Sequence, residues 1–305
     1  GLPLLLPSSP ATFTETSGLS PIFSSLYWET ICDHITPNPY IINFKAEDDN
    51  DTMLVDFEAM YINVIAPETE PTSINAVGNT ISITWGTSPC NNANGYKIYR
   101  RVDSSGFIPD DCETGVPDEW GYSLINNNQG LNNTDYTDQN NLVHGQKYCY
   151  VITSCFPSGS ESIASSEICT QLKRDVPIIT NVSITQTSQT IGNDTLKWTN
   201  PTELDSTQVP PPYQYKVYKS LGFNAPSTLI FTSPMFNNFN NADTILFDQN
   251  INTQDSAHTY QIELLSSNTS VGFSPSASSI FLNSIPTDNA LNLNWTENVP
   301  WTNTS

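Results

Sequence analysis

The chain has 305 residues, 37% of them apolar and 10% aromatic, which is too apolar for a disordered chain and long enough for two or three domains that each bury a core. A formal charge of −21 repels nucleic acid and anionic membranes and so argues against both as partners. Charged residues are only 13% while Asn, Thr, Ser and Pro abound, and few windows carry helical periodicity, so the fold is predicted to be all-β.

The N-terminal run GLPLLLPSSP is broken by Pro3 and Pro7 and lacks a basic flank, so it does not read as a signal peptide, and both ends read as cuts inside a longer protein. No apolar stretch is long enough for a membrane helix, so no membrane insertion is expected in this segment. Trp28 and Cys32 are expected in a strand. Residues 40–47 and 54–64 then alternate apolar and polar positions (Ile41, Phe44; Val55, Phe57, Ile62, Val64), which predicts a hairpin closing a partial β module over 1–66. Its turn holds Glu47, Asp48, Asp49 and Asp51, either a solvated acidic turn or a low-affinity calcium site built from carboxylate oxygens. No other cofactor is implied.

Two prolines and a charge cluster at 66–77 mark a boundary. The stretches TISITW, GYKIYRR, GYSLI, TDYTD, QKYCYVIT and SEICTQL follow as short strands separated by turn residues, giving a domain over 67–175. Pro177 lies in the short link to a second domain over 176–283, which limits hinge freedom at that point. The organising feature is a motif that returns: an alternating strand ending in Trp85 precedes Tyr96-Lys-Ile-Tyr99, and one ending in Trp198 precedes Tyr215-Lys-Val-Tyr218. Trp295 opens a third copy within 284–305. The spacing is that of whole domains, not of solenoid units.

These residues resemble fibronectin type III domains: the Trp of the second strand, the paired Tyr of the third, the Tyr opening the sixth (Tyr148, with Tyr260 as its counterpart) and a Ser-rich approach to the last strand, Ile163–Glu167 and Ser276–Ser279. The spacing Leu142-x-x-Gly145-x-x-Tyr148 also resembles a tyrosine corner. The implied fold is a tandem of Ig-like, fibronectin type III β-sandwiches, preceded by a hairpin that is similar to the end of a cadherin-like or PKD-like module. On this template Cys149 and Cys169 fall on neighbouring antiparallel strands and would bridge, and a Cys90–Cys112 bond would staple the long excursion after the third strand. Cys32 would then need a partner upstream of Gly1, and Cys155 would be free. The six cysteines have no zinc-ligand spacing, so disulfides and an extracellular, cell-surface or secreted location are expected.

The runs Cys90–Arg101, Cys112–Pro117, Leu142–Tyr150 and Leu172–Ser183 further resemble the large gliding motility-associated surface proteins of Bacteroidetes. That resemblance implies export by the type IX secretion machinery, which would then be a partner. Histidines 34, 144 and 258 have no nucleophile placed for a triad, and no enzyme is expected. Trp120, Tyr122, Phe236 and Phe239 are aromatics that either stack on a polysaccharide or surface ligand or fold their own loops. Asp-Ser and Asp-Thr pairs resemble bacterial O-glycosylation acceptors, which would make a glycoprotein modified at Thr52, Thr195, Ser206, Thr244 and Ser256. The sequence reading is a non-enzymatic spacer and adhesion segment; the alternative is a carbohydrate-binding module of a secreted enzyme.

Overall fold

The computed structural model describes residues 2–49 and 54–300. At the N-terminus β1 (Thr12–Phe13) and β2 (Leu26–Tyr27) form a minimal pair, followed by the antiparallel hairpin β3 (Tyr40–Glu47) and β4 (Val55–Ile62). Alternation makes the hairpin, but it is only anchored at its base: Tyr40 and Ile42 are buried while Ile41, Phe57, Met60 and Tyr61 are exposed. The strand expected to carry Trp28 and Cys32 is cut short, since β2 stops at Tyr27. Cys32–His34 is a 3₁₀ turn, and Trp28 instead donates its Nε1–H to the Ser9 carbonyl at 2.9 Å.

Two sandwiches follow. The first has β5 (Pro71–Val77), β6 (Thr80–Trp85), β7 (Gly95–Val102), β8 (Ser123–Gln129), β9 (Asp135–Asp138), β10 (Lys147–Cys155) and β11 (Ile168–Gln171). Its strands order as β5-β6-β9 in one sheet and β11-β10-β7-β8 in the other. The second has β12 (Ile178–Gln186), β13 (Gly192–Thr199), β14 (Tyr213–Leu221), β15 (Thr228–Thr232), β16 (Ile245–Ile251), β17 (His258–Ser266), β18 (Thr269–Phe273) and β19 (Ala277–Ser278). Here the orders are β12-β13-β16 and β15-β14-β17-β18, with β19 also on β17. Strand for strand the two orders are the same. A last hairpin joins β20 (Phe281–Thr287) to β21 (Ala290–Thr296), and its apolar Leu291, Leu293 and Trp295 are exposed because no opposing sheet covers them among the described residues.

By compactness the chain divides into one unit of residues 1–75, 82–137 and 147–170 and another of 76–81, 138–146 and 171 onward. In the first, Ile83 and Trp85 alternate inward on β6, and Trp85 meets Tyr96 edge-on at 5.5 Å. In the second, Leu196 and Trp198 alternate inward on β13, and Trp198 meets Tyr215 edge-on at 5.8 Å. Even the backbone repeats: the N–H of Trp85 donates to the Thr134 carbonyl and that of Trp198 to the Thr244 carbonyl, each one residue before the third strand of its sheet. Both indole N–H groups are buried without an acceptor, so each ring serves as apolar filling.

Strand register corrects one correspondence. Tyr150 lies opposite Arg100 and Tyr260 opposite Lys219, and these two cations follow the shared Tyr-Lys-x-Tyr motif. Tyr260 therefore matches Tyr150, and His258 takes the place of Tyr148. The serines that close the sixth strand are likewise Ser165, which accepts from the Ile152 N–H at 3.0 Å, and Ser274, which accepts from Ile262 at 2.9 Å. Ser274 precedes the Ser276–Ser279 run that the sequence motif suggested.

The expected Cys90–Cys112 bond is replaced by Cys32–Cys90, with Cα atoms 5.5 Å apart, and Cys112 is free and exposed. The N-terminal segment wins because it packs on the β6–β7 connection: Ile35, Val64 and Ala66 share a core with Cys90, Ala93 and Phe156, and Asn92 Nδ2 donates to the Cys32 carbonyl at 2.9 Å. Cys32 thus has its partner within the chain. Cys149 and Cys169 are joined, with Cα atoms 4.1 Å apart on adjacent β10 and β11. Gly95 starts β7 where only hydrogen fits, since a Cβ there would lie 2.0 Å from the Asn128 carbonyl oxygen. Replacing Trp85 or Trp198 by Ala is expected to cost about 3–5 kcal/mol each, read from denaturant midpoints, because the cavity lies between two sheets that cannot collapse onto it.

Candidate functional site

A concavity of about 340 Å³ lies in the first unit, between the N-terminal segment (Ile35, Thr36, Asn63, Val64) and the sandwich loops that bring Cys112, Gly115, Ser160 and Glu161. Its volume is at the lower end for a small-molecule site. Its one charged group is already engaged. Glu161 accepts from Lys97 Nζ, from the Tyr99 hydroxyl at 3.0 Å and from Thr153 Oγ1 at 2.8 Å. Burial, reinforced by the Glu161 charge, pushes the Tyr99 phenol well above its usual range, so it stays a neutral donor.

A second acidic group pins the excursion between β7 and β8. Glu167 accepts from the Ser104 and Tyr122 hydroxyls and from the Ser105 N–H at 2.8 Å. Partial burial alone would raise this carboxyl, but the donors outweigh it and hold it below its ordinary value. Beside it Trp120 stacks on Phe107 at 3.8 Å, and Arg101 lies over the Tyr122 ring at 5.8 Å. Trp120 and Tyr122 therefore fold the excursion, each keeping part of its surface open. Phe236 and Phe239, grouped with them as ligand-facing on sequence, belong to the second sandwich instead: Phe236 is 8% exposed and sits in the core against Tyr215, while Phe239 stacks on Tyr213 at 4.7 Å. Phe236 is thereby enclosed in the core, while Phe239 packs against it and keeps part of its surface open.

The second unit holds a buried ionic cluster that sequence reasoning missed. The Tyr260 hydroxyl is 2.8 Å from Asp194 Oδ2 and 2.9 Å from Asp248 Oδ2; Lys219 Nζ is 2.7 Å from Asp248, and His258 Nδ1 is 3.4 Å from Asp194. Asp194 comes from the three-stranded sheet and Tyr260 from the five-stranded one, so the phenol links the two sheets. Burial first, then the two carboxylates, push its pKa far up, keeping the proton on oxygen. The register that sets Tyr260 opposite Lys219 was the only available signal, and it needs the strand pairing to be seen.

The remaining candidates are dispersed. Glu47 pairs with Lys45, and Asp48 Oδ1 accepts from the Leu54 N–H at 2.9 Å; Asp51 and Thr52 lie outside the described residues. Among the described residues the one grouping of metal-type ligands is Cys149, Glu167 and Cys169, and its two sulfurs are already bonded to each other. His34 is occupied at both ring nitrogens, accepting from the Ile31 N–H at Nδ1 and facing the Ser8 carbonyl at Nε2. Thr195 cannot carry a glycan, being 7% exposed on an inner strand, whereas Ser206 is exposed and Thr244 and Ser256 are half-buried.

No protein-family model matches the chain, and no curated protein matches it. Among solved structures, a Fn3-like protein from Clostridium thermocellum is 33% identical, covering 35% of this chain and 93% of that one, at a TM-score of 0.24. The FN1-FN3 domains of chicken CNTN1 are 12% identical over 78% of this chain and 71% of theirs, with a TM-score of 0.28. A beta-1,2-glucanase from Parabacteroides distasonis is 18% identical over 41% of this chain and 16% of the enzyme, with a TM-score of 0.26.

Two outcomes test the electrostatics. Glu167 titrates lower in the folded chain than its ordinary 4.5, so its stabilisation is present above that pH and is lost as pH falls through the lowered folded value. The gap in thermal midpoint between wild type and Glu167→Gln is expected to be widest at neutral pH and to close below about pH 4.5. Tyr260→Phe removes the one donor shared by two buried carboxylates and is expected to cost about 1–3 kcal/mol in urea unfolding.

Proposed function

From the premise that this chain is a tandem of fibronectin type III-like sandwiches, we propose that it is a non-enzymatic spacer and adhesion segment of a large extracellular protein. The observation that carries the reading is the duplication itself. Two sandwiches of identical strand order each spend their aromatic and acidic side chains on their own cores and loops, as at Glu161, Glu167, Tyr260 and Phe236. Two disulfides support an oxidising, extracellular setting, and no helix among the described residues is long and apolar enough to cross a membrane. The domain limits proposed are 67–175 and 176–283, with β20–β21 opening a third repeat.

The finer assignment, a type IX-secreted bacterial surface protein linked to gliding or surface attachment, is supported by the resemblance of runs such as Cys90–Arg101 and Leu142–Tyr150. A second reading is favoured by one observation, the partly exposed Phe107, Trp120 and Tyr122 cluster, which suits a carbohydrate-binding accessory module. A polysaccharide array probed with the intact chain and with Trp120→Ala separates them. The spacer reading expects no binding that depends on Trp120; a signal abolished by that substitution would replace it with the accessory-module reading.

A further inference from the structure

Six cysteines and two disulfides leave Cys112 and Cys155 as free thiols in a chain whose other pairs are oxidised. The fold places both of them toward one surface. Along β10 alternate side chains share the outer face of the four-stranded sheet, so Cys149, Thr153 and Cys155 point the same way. The direction is set by Cys149, bonded to Cys169, and by Thr153, whose hydroxyl reaches Glu161. Cys155 lies opposite Gly95, which has no side chain to cover the sulfur, and it bridges Glu161 on its other side.

The excursion between β7 and β8 runs over that same face. The Gly115 N–H donates to the Ser162 carbonyl at 2.9 Å, and the Glu161 carboxylate lies 3.8 Å from where a Gly115 Cβ would stand. Cys112 precedes Gly115 by three residues and shares with Glu161 the wall of the 340 Å³ concavity. Three residues reach at most ~10 Å, so the exposed Cys112 can swing toward Cys155 while the Gly115 anchor holds. We propose that Cys112 and Cys155 form a third disulfide in the oxidised protein, tying the excursion to the sheet.

The bond needs an oxidant of the disulfide class, such as glutathione disulfide or a thiol–disulfide oxidoreductase. The Cys112 thiolate attacks one oxidant sulfur, making a mixed disulfide and expelling the other as thiolate. The Cys155 thiolate then attacks Cys112 Sγ, forming the protein bond and releasing the second oxidant thiol. Two protons and two electrons leave the protein thiols, and the oxidant disulfide takes up both. Exposure makes Cys112 the first attacker, since burial pushes the Cys155 thiol up and Glu161 adds to that.

The test refolds the 305-residue chain with glutathione disulfide, denatures it without reductant, alkylates it and maps the linked peptides by mass spectrometry. The expected map shows a Cys112–Cys155 peptide beside Cys32–Cys90 and Cys149–Cys169, with no alkylated cysteine. Cys112→Ser is expected to leave Cys155 as an alkylated thiol and Cys155→Ser to leave Cys112 capped by glutathione, with the two remaining linked peptides intact as proof of folding. A wild-type chain that holds the other two bonds while Cys112 and Cys155 are alkylated or capped by glutathione, or capture of either by a different cysteine, overturns the proposal.

Discussion

The structure depends on an edge-on contact between an indole on one sheet and a phenol on the other, Trp85 with Tyr96 and Trp198 with Tyr215. A small sandwich has two thin sheets and little volume between them, and a pair of large rings fills it with few side chains to order. Each ring is fixed by the strand that carries it. The Trp ends an alternating run, so its side chain must face inward, and the Tyr opens a strand whose next inward positions, Ile98 and Val217, continue the core.

Acidic excess is the second constraint. The chain carries 31 Asp and Glu against 10 Lys and Arg, yet several of its carboxylates are wholly or partly buried, and each of these has donors within reach. Glu161 takes donors from β7 and β10 on the outer face of the first sandwich and Glu167 fastens its long excursion; Asp194 and Asp248 converge on Tyr260 inside the second. Cations are scarce, so hydroxyls and backbone N–H groups do most of the compensating. Lys97 and Lys219 are used where a carboxylate and a phenol already meet. Side chains that would look reactive in a list of residues are thereby spent on structure.

The N-terminal segment shows how tertiary packing redirects a local expectation. Cys90 and Cys112 both sit in loops of one domain, which favours pairing them, but the 3₁₀ turn at Cys32 lies against the β6–β7 connection and holds its sulfur on Cys90. Phe236 and Phe239 correspond to Trp120 and Tyr122 by loop position. The loops differ: the first is folded over the outside of its sheet by Glu167, and the second turns inward and adds its rings to the core.

Period-two alternation, the turn residues and the returned Trp and Tyr-Lys-x-Tyr motifs determined by themselves that the chain is all-β, duplicated and closed by aromatic cores, because those patterns act over a few neighbouring residues. The Cys149–Cys169 pair was legible only through the family resemblance that put the two residues on adjacent strands. Pairings across sheets and between distant loops were decided by the tertiary structure alone: Cys32 with Cys90, Glu167 with Tyr122, Tyr260 with Asp194 and Asp248. Such contacts depend on register and on which segment reaches a site, and neither is encoded in the spacing of residues along the chain.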